Sequence, residues 1–258
     1  MPRPVVISWA MKTAILCLAL LCVLLPAAAA RADPMPFAPG EVLRYEVRWA
    51  AVPVAETTLS VDRQCPDGID CWRFRMDIRT NSFADVFYKV RDRIVSVTDA
   101  GLTRTLTFDK KQKEGSYERD YTVRYDYAAG QSFYKSVKGT EYILPLADGT
   151  LDPLSIYYHF RASAPLSIGQ VMTRQVNDGR NAALAEARVV GRETVSVPAG
   201  TFETFVVEPD MKNLGGVFKK SKDASMRIWV TADARCLPVK VRSKVAVGWF
   251  TAELTQLP

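Results

Sequence analysis

The sequence predicts an all-β protein with minor helix: a strongly curved antiparallel sheet, or a partial barrel or sandwich, with one short helix lodged against its concave side. Three observations predict it. Apolar and charged residues alternate with period two through most of the chain, glycines punctuate the alternating runs, and only one stretch opens with a strong helix-start signal.

Residues 1–32 differ in composition from the rest. MPRPVVISWAMK is basic, TAILCLALLCVLLPAAAA is apolar, and Ala30-Arg31-Ala32 supplies a small-residue cleavage site, so the segment reads as a secretory signal removed before Asp33. The apolar run from Thr13 to Ala30 is short for a span and contains Pro26; crossing a bilayer takes about 20 apolar residues. Cys17 and Cys22 lack the preceding small residue of lipoprotein processing. Residues 33–258 are then expected to form a single β domain in the periplasm.

After the leader, LRYEVRW alternates Leu43, Tyr45, Val47 and Trp49 with Arg44, Glu46 and Arg48, and WRFRMDIR alternates Trp72, Phe74, Met76 and Ile78 with charged residues. Each run has one apolar and one charged face, as strands of a one-side-packed antiparallel sheet require. VAETTLSV, YKVRDRIVSV, LTRTLTF, SYERDYTVRYDY, QSFYKSV, QVMTRQV, ALAEARVV, ETVSV, TFETFVVE, SMRIWVT, LPVKVRS and VAVGWFTAEL continue the pattern. Gly101, Gly130, Gly179, Gly200 and Gly215-Gly216 fall between them as hairpin or loop residues. NSFADVF offers at most a helical turn. In LDPLSIYYHFRAS, Asp152 can cap a helix and Pro153 suits its first position. Leu154, Tyr157, Tyr158 and Arg161 follow one stripe while Ile156 and Phe160 lie elsewhere around the axis, which predicts a largely enclosed helix.

The formal charge of +6 would fall to +3 with the leader, whose three charged residues are all basic. That excess is too slight to predict a nucleic-acid partner. In CPDGIDC a Pro-Asp-Gly turn brings Cys65 and Cys71 together, and an oxidising compartment predicts a disulfide between them. Cys236 is left as a buried, inert thiol. No metal site is expected, because the single histidine is remote from these cysteines.

His159 is the one imidazole, with Ser155 four residues earlier. Four-residue helical spacing seldom aims a nucleophile and a base at each other, and no hydrolase, zinc, P-loop or dinucleotide motif is present. The expected role of His159 is therefore packing at a helix edge, and no catalytic residue or cofactor is assigned. Acidic pairs meeting across the sheet leave an acid-based enzyme open. Tyr117, Tyr121, Val123, Tyr125 and Tyr127 share one strand face, a pattern that suits a groove for lipid, glycan or peptide and equally suits cross-strand packing. KNLGGVFKKSK places Lys212, Lys219, Lys220 and Lys222 around apolar residues, either a solvated loop or a contact with an anionic membrane surface.

FAPGEVLRYEV, DPLSIYYHFR, VSVPAGTFETFVVEP and IWVTADARCLPVKV, in that order over nearly all of the chain after the leader, resemble the bacterial exported proteins grouped as domain of unknown function 3108. The departures are Cys236, where a bulky or basic residue is expected, and the CPDGIDC hairpin. The resemblance implies an exported β-rich protein without an established activity, similar in style to periplasmic carriers of lipid chains. The expected function is a non-enzymatic binding or carrier protein for an apolar or amphipathic envelope ligand, held near Tyr117, Tyr121, Tyr125, Tyr157, Tyr158, His159 and Arg161. The alternatives are an envelope hydrolase acting on glycan or ester, and an assembly or scaffold protein that pairs an edge strand with a partner.

Overall fold

A computed structural model describes residues 35–63, 68–210 and 223–257. The predicted leader, residues 1–32, lies outside the described residues. From Met35 onward the chain makes one compact unit. Its elements are β1 (Val42–Trp49), β2 (Val52–Asp62), β3 (Cys71–Thr80), α1 (Ser82–Asp85), β4 (Arg91–Asp99), β5 (Thr105–Glu114), β6 (Tyr117–Asp126), β7 (Gln131–Ser136), β8 (Glu141–Pro145), α2 (Ser155–Arg161), β9 (Val171–Asn177), β10 (Ala182–Val197), β11 (Gly200–Pro209), β12 (Ser225–Thr231), β13 (Pro238–Val245) and β14 (Gly248–Gln256). The fourteen strands form one antiparallel sheet that is not closed into a barrel, in the order β8 through β1 and then β14 through β9.

Alternation explains which face is buried. Leu43 and Tyr45 of β1, Leu59 and Val61 of β2, and Trp72 and Phe74 of β3 all enter the core, while Arg44 and Arg73 point to water. Register carries the pattern onward: Phe74 faces Ser96, Ser96 faces Phe108, Phe108 faces Val123, and Val123 faces Tyr134. This transverse row is buried throughout. Ser96, Thr105 and Ser132 are polar and fully enclosed on the inward side, where alternation alone predicts apolar residues. Their partners come from elsewhere in the chain, as described below.

The interior is filled by three inserts. Helix α2 sends Tyr158 onto Phe74, with ring centroids 3.9 Å apart and planes 13° from parallel. Phe37 from the chain before β1 meets Tyr158, Phe74 and Trp72 edge-on at 5.3, 5.6 and 5.0 Å. Aromatic pairs of this geometry contribute about 0.5–1.5 kcal/mol each beyond their burial. The third insert is the turn after β9, where Tyr125 donates its hydroxyl to the Asn177 carbonyl and Asn177 Nδ2 donates to Ser132 at 2.9 Å. A single parallel bridge, Leu151 to Val176, joins the segment before α2 to β9.

Several strand limits differ from the alternation reading. LTRTLTF does not start a strand at Leu102, whose backbone is left-handed (φ 54°) and whose side chain is buried in the turn before β5. The strand instead continues through the polar FDKKQKE, because ladders to β4 and β6 satisfy its backbone on both sides. ALAEARVV and ETVSV are one 16-residue strand, β10, with a register shift between Val189 and Gly191. VAVGWFTAEL divides between β13 and β14, Gly200 lies inside β11 rather than between strands, and EYILP forms the unpredicted edge strand β8. NSFADVF contains α1, a helical turn capped by Asn81.

Gly179 marks where the β9–β10 turn meets the sheet interior. Its φ is +85°, and a Cβ there would lie 2.4 Å from Val123 Cγ2 and 3.0 Å from Tyr134 Cδ2. Replacing Gly179 with Ala therefore combines backbone strain with a core clash and is expected to cost about 2 kcal/mol or more, read as a lower midpoint in urea denaturation. Gly130→Ala, where φ is +63° but no atom lies within 4 Å, is the control and should cost less.

Candidate functional site

Helix α2 is seated by polar groups at both ends. At its start Asp152, fully buried, accepts from Ser96 Oγ, from Thr105 Oγ1 at 2.7 Å, and from the amides of Leu154 and Ser155 at 2.7 and 3.0 Å. The two amides are free donors at the helix start and Asp152 accepts from both, as its predicted capping role requires, while Pro153 lies in the turn before α2, whose first residue is Ser155. Ser155 Oγ lies 2.9 Å from Thr105 Oγ1 and accepts from the Asp152 amide at 2.9 Å. At the far end Arg161 donates to Glu41 through Nη1 at 2.6 Å and Nη2 at 3.1 Å, and to the Pro36 carbonyl at 3.3 Å. The two side chains are 2% and 10% exposed. Burial opposes the Arg161 charge, but Glu41 more than offsets it and holds the guanidinium above its ordinary range.

Ser155 and His159 do not converge on shared chemistry. The Ser155 hydroxyl is committed to the Asp152 cluster, and His159 Nδ1 lies 3.2 Å from the Leu102 carbonyl. Burial, with Arg174 nearby, pushes the His159 pKa down against that hydrogen bond, which favours the neutral ring donating to Leu102.

The tyrosines divide by environment. Tyr121 is buried against Phe108 and Tyr134, at 6.1 and 4.6 Å, and Tyr125 is buried with its hydroxyl on Asn177. Tyr127 donates to the carbonyls of Thr150 and Thr105 at 2.8 and 2.9 Å. Tyr158 is enclosed, with no hydrogen-bond partner for its hydroxyl. Tyr157 is partly exposed, and burial of its hydroxyl pushes its pKa up to about 12. Tyr117 is exposed at the start of β6. The buried tyrosines thus present their faces to other side chains and not to a hollow.

Cys71 is buried at the start of β3, while its predicted partner Cys65 lies outside the described residues, as does the loop with Lys212, Lys219, Lys220 and Lys222. Cys236 is a free, buried thiol whose pKa is raised by burial and by Asp233. Among the described residues no group of three or more His, Cys, Asp or Glu could hold a metal ion, and no helix is long and apolar enough to cross a membrane.

An open cleft of about 770 Å³ lies on the outward side of β12, β13 and β14, between them, the end of β1 and the far half of β10. Trp49, Trp229 and Trp249 line it together with Glu193, Lys240, Arg242 and Glu253. Trp229 donates Nε1 to Glu193 at 2.8 Å, and Lys240 pairs with Glu253 at 2.8 Å. Trp49 donates Nε1 to the Val247 carbonyl at 2.9 Å. The Arg242 guanidinium sits 4.2 Å from the centre of the Trp249 ring and has no carboxylate partner among the described residues. Trp49 and Trp249 remain 47% and 38% exposed.

Alternation missed this cleft for two reasons. Trp49 keeps the parity of Tyr45 and Val47 in the β1–β14 ladder, but it is the last residue of β1, where the strand ends and leaves its ring exposed beside Val247. Trp249 shares its parity with Thr251 and Glu253, not with buried Leu254; a tryptophan on the wet side of a strand was the available signal.

These features define a strongly curved, open all-β protein with a packed interior and its clefts on the outside. The chain belongs to the family described as protein of unknown function (DUF3108), whose sequence model matches residues 44–255. Among solved structures it is similar to a β-barrel-like protein of domain of unknown function DUF1849 from Brucella abortus, at 9% identity and a TM-score of 0.51, covering 84% of this chain and 95% of that one. A protein from Bacteroides fragilis described as a putative exported protein with a YmcC-like fold matches at 11% identity and a TM-score of 0.37, covering 87% of this chain and 98% of that one. No curated protein matches the chain.

Two outcomes are expected from the helix α2 contacts. Glu41→Ala leaves Arg161 buried without its counter-ion and should lower stability by about 3–5 kcal/mol in chemical denaturation. His159 has a depressed folded-state pKa, so the stability it contributes is present above its unfolded value and is lost as pH falls through the folded value. Wild type should therefore lose stability relative to His159→Gln as pH falls below the ordinary histidine value of about 6.5, in thermal melts of both proteins. The comparison is differential because Asp92, raised to about 6 by burial and by Glu114, titrates with the opposite sign in the same window.

Proposed function

We propose that the protein is exported to the periplasm and acts there by binding, as a carrier for an amphipathic envelope molecule with an anionic head. The observation that carries this reading is Arg242, stacked on Trp249 at the mouth of the tryptophan-lined cleft with its charge unpaired by any described carboxylate. A cation held on an aromatic face is pre-organised for an anion, because its side-chain freedom is already spent. The exposed parts of Trp49 and Trp249, with Val195 and Val247, offer the apolar surface such a molecule needs beside its head. The basic-apolar leader and its A-x-A site support export.

The cleft also supports moving the predicted ligand position. Tyr121, Tyr125 and Tyr158 are enclosed by neighbours, so a ligand meets the outward tryptophans before it meets them. Against a hydrolase reading through His159, the imidazole hydrogen-bonds the Leu102 carbonyl and, among the described residues, no hydroxyl or thiol. Glu193 and Glu253 do share the cleft, but each is engaged, by Trp229 and by Lys240.

The test is native mass spectrometry of protein recovered from the periplasm, together with tryptophan fluorescence titration using lysophosphatidylglycerol as the probe. A bound small molecule and saturable quenching are expected. Arg242→Ala and Trp249→Ala should each weaken the probe about tenfold, the loss of about 1.4 kcal/mol from one charge or aromatic contact. Repeated recovery without a bound molecule, and titration curves unchanged by either substitution, would rule the reading out.

A further inference from the structure

The hairpin connections at one rim of the sheet carry most of the exposed apolar bulk, and those at the other rim carry little. In an antiparallel sheet with this order, the β1–β2, β3–β4, β5–β6, β7–β8 and β13–β14 connections share a rim. Hydrogen bonds join neighbouring connections along it. Trp49 reaches the Val247 carbonyl, Asn81 reaches the Pro53 and Val54 carbonyls at 2.8 and 2.9 Å, and the Gly115 amide reaches the Lys89 carbonyl at 2.8 Å. Along this rim Phe83, Val86, Phe87, Val137 and Val247 are 55%, 79%, 76%, 72% and 65% exposed. At the opposite rim, Leu102 and Leu237 are buried, and Ile69 is the exposed large apolar residue of the described hairpin connections there.

The most apolar of these connections is rigidly built. Arg91 grips Asp85 through both guanidinium nitrogens at 2.5 and 3.0 Å and donates to the Val90 carbonyl at 2.6 Å. Asn81 caps α1 by accepting from the Ala84 amide at 2.9 Å. The side chains of Asn81, Asp85 and Arg91 are thus bonded within the connection, while Phe83, Val86 and Phe87 are turned out. A segment that leaves Phe83, Val86 and Phe87 in water, on a scaffold held by a bidentate ion pair, is shaped for a surface beyond the chain.

We propose that this rim docks on a bilayer containing anionic phospholipid, with Val86 and Phe87 entering its interfacial zone. Charge selects lipid of that kind. Acids at the connections are paired, Asp85 by Arg91, Glu118 by Lys113 at 3.1 Å and Glu141 by Lys135 at 3.2 Å, while Glu114 at the β5–β6 turn accepts from Gln112. Exposed Lys89, Arg79 and Lys138 have no carboxylate partner among the described residues. Aromatic side chains level with free cations are the composition that settles at a headgroup boundary. Separate apolar tips on successive hairpins also suit a deformable lipid surface better than one continuous protein groove.

The test is co-sedimentation of periplasm-recovered protein with vesicles of phosphatidylethanolamine and phosphatidylglycerol, against vesicles of phosphatidylcholine alone. Wild type should bind the anionic vesicles, more weakly as salt is raised, and poorly the neutral ones. Val86→Ser and Phe87→Ser should each weaken binding about tenfold and together abolish it, with melting temperatures unchanged because both side chains are exposed. Ile69→Ser, at the opposite rim, should bind as wild type does. The proposal is overturned if wild type ignores both vesicle types, if Phe87→Ser binds undiminished, if Ile69→Ser loses as much, or if photocrosslinking from position 87 in cells captures a stoichiometric protein and no lipid. Val86 and Phe87 lie outside the tryptophan cleft, so loss of docking and loss of ligand binding are separable results.

Discussion

The carboxylate of Asp152, sealed from water beneath the sheet, is the constraint on which the arrangement of the interior depends. Removing a carboxylate from water costs several kcal/mol unless donors replace the lost hydration. Here two hydroxyls and two amides replace it, and they come from β4, β5 and the first turn of α2. The group can be satisfied only when those three pieces meet, so its hydrogen bonds place the helix. Once the helix start is fixed, the direction of α2 brings Tyr158 onto Phe74 and carries Arg161 to Glu41. The first segment of the described chain is thereby tied to a helix more than a hundred residues later.

Filling the inside determines where function can reside. The helix, Phe37 and the β9–β10 turn occupy the space that a curved sheet encloses, and the tyrosines along β6 spend their faces and hydroxyls on that packing. What remains accessible is outward: a cleft beside Trp249 and Arg242, and the apolar rim around Phe87. The two features are chemically alike in combining aromatic surface with free cations. They differ in geometry, since the cleft is concave and a few side chains wide whereas the rim is a row of projecting tips. The proposed carriage in the first and the proposed docking by the second are sterically compatible, because Val86 and Phe87 lie outside the cleft.

Alternation located the strands because in LRYEVRW and WRFRMDIR the side-chain period matches a sheet with one wet face. It located their limits less well. The polar run FDKKQKE is strand because two neighbours satisfy its backbone, a requirement invisible in side-chain hydropathy. Leu102 is apolar and buried but lies in a turn, so burial and strand membership separate there. The capping role of Asp152 was legible from Asp-Pro, while its burial was not, because Ser96 and Thr105 belong to strands far away in sequence and look like ordinary polar residues. His159 read correctly as a helix-edge residue, since its partner is the Leu102 main-chain carbonyl. Trp49 and Trp249 read as strand positions, and only the end of β1 at the first and the parity of the second place them at a cleft.

By itself the sequence determined the period-two pattern, the antiparallel all-β class, the single enclosed helix with its capping pair and the family resemblance, because each is a local property of neighbouring residues. Tertiary structure alone decided that fourteen strands make one open sheet, that its inner side is packed, and that the exposed aromatics gather at one cleft and one rim. Those outcomes depend on register and on contacts between distant segments, which no local pattern of side chains encodes.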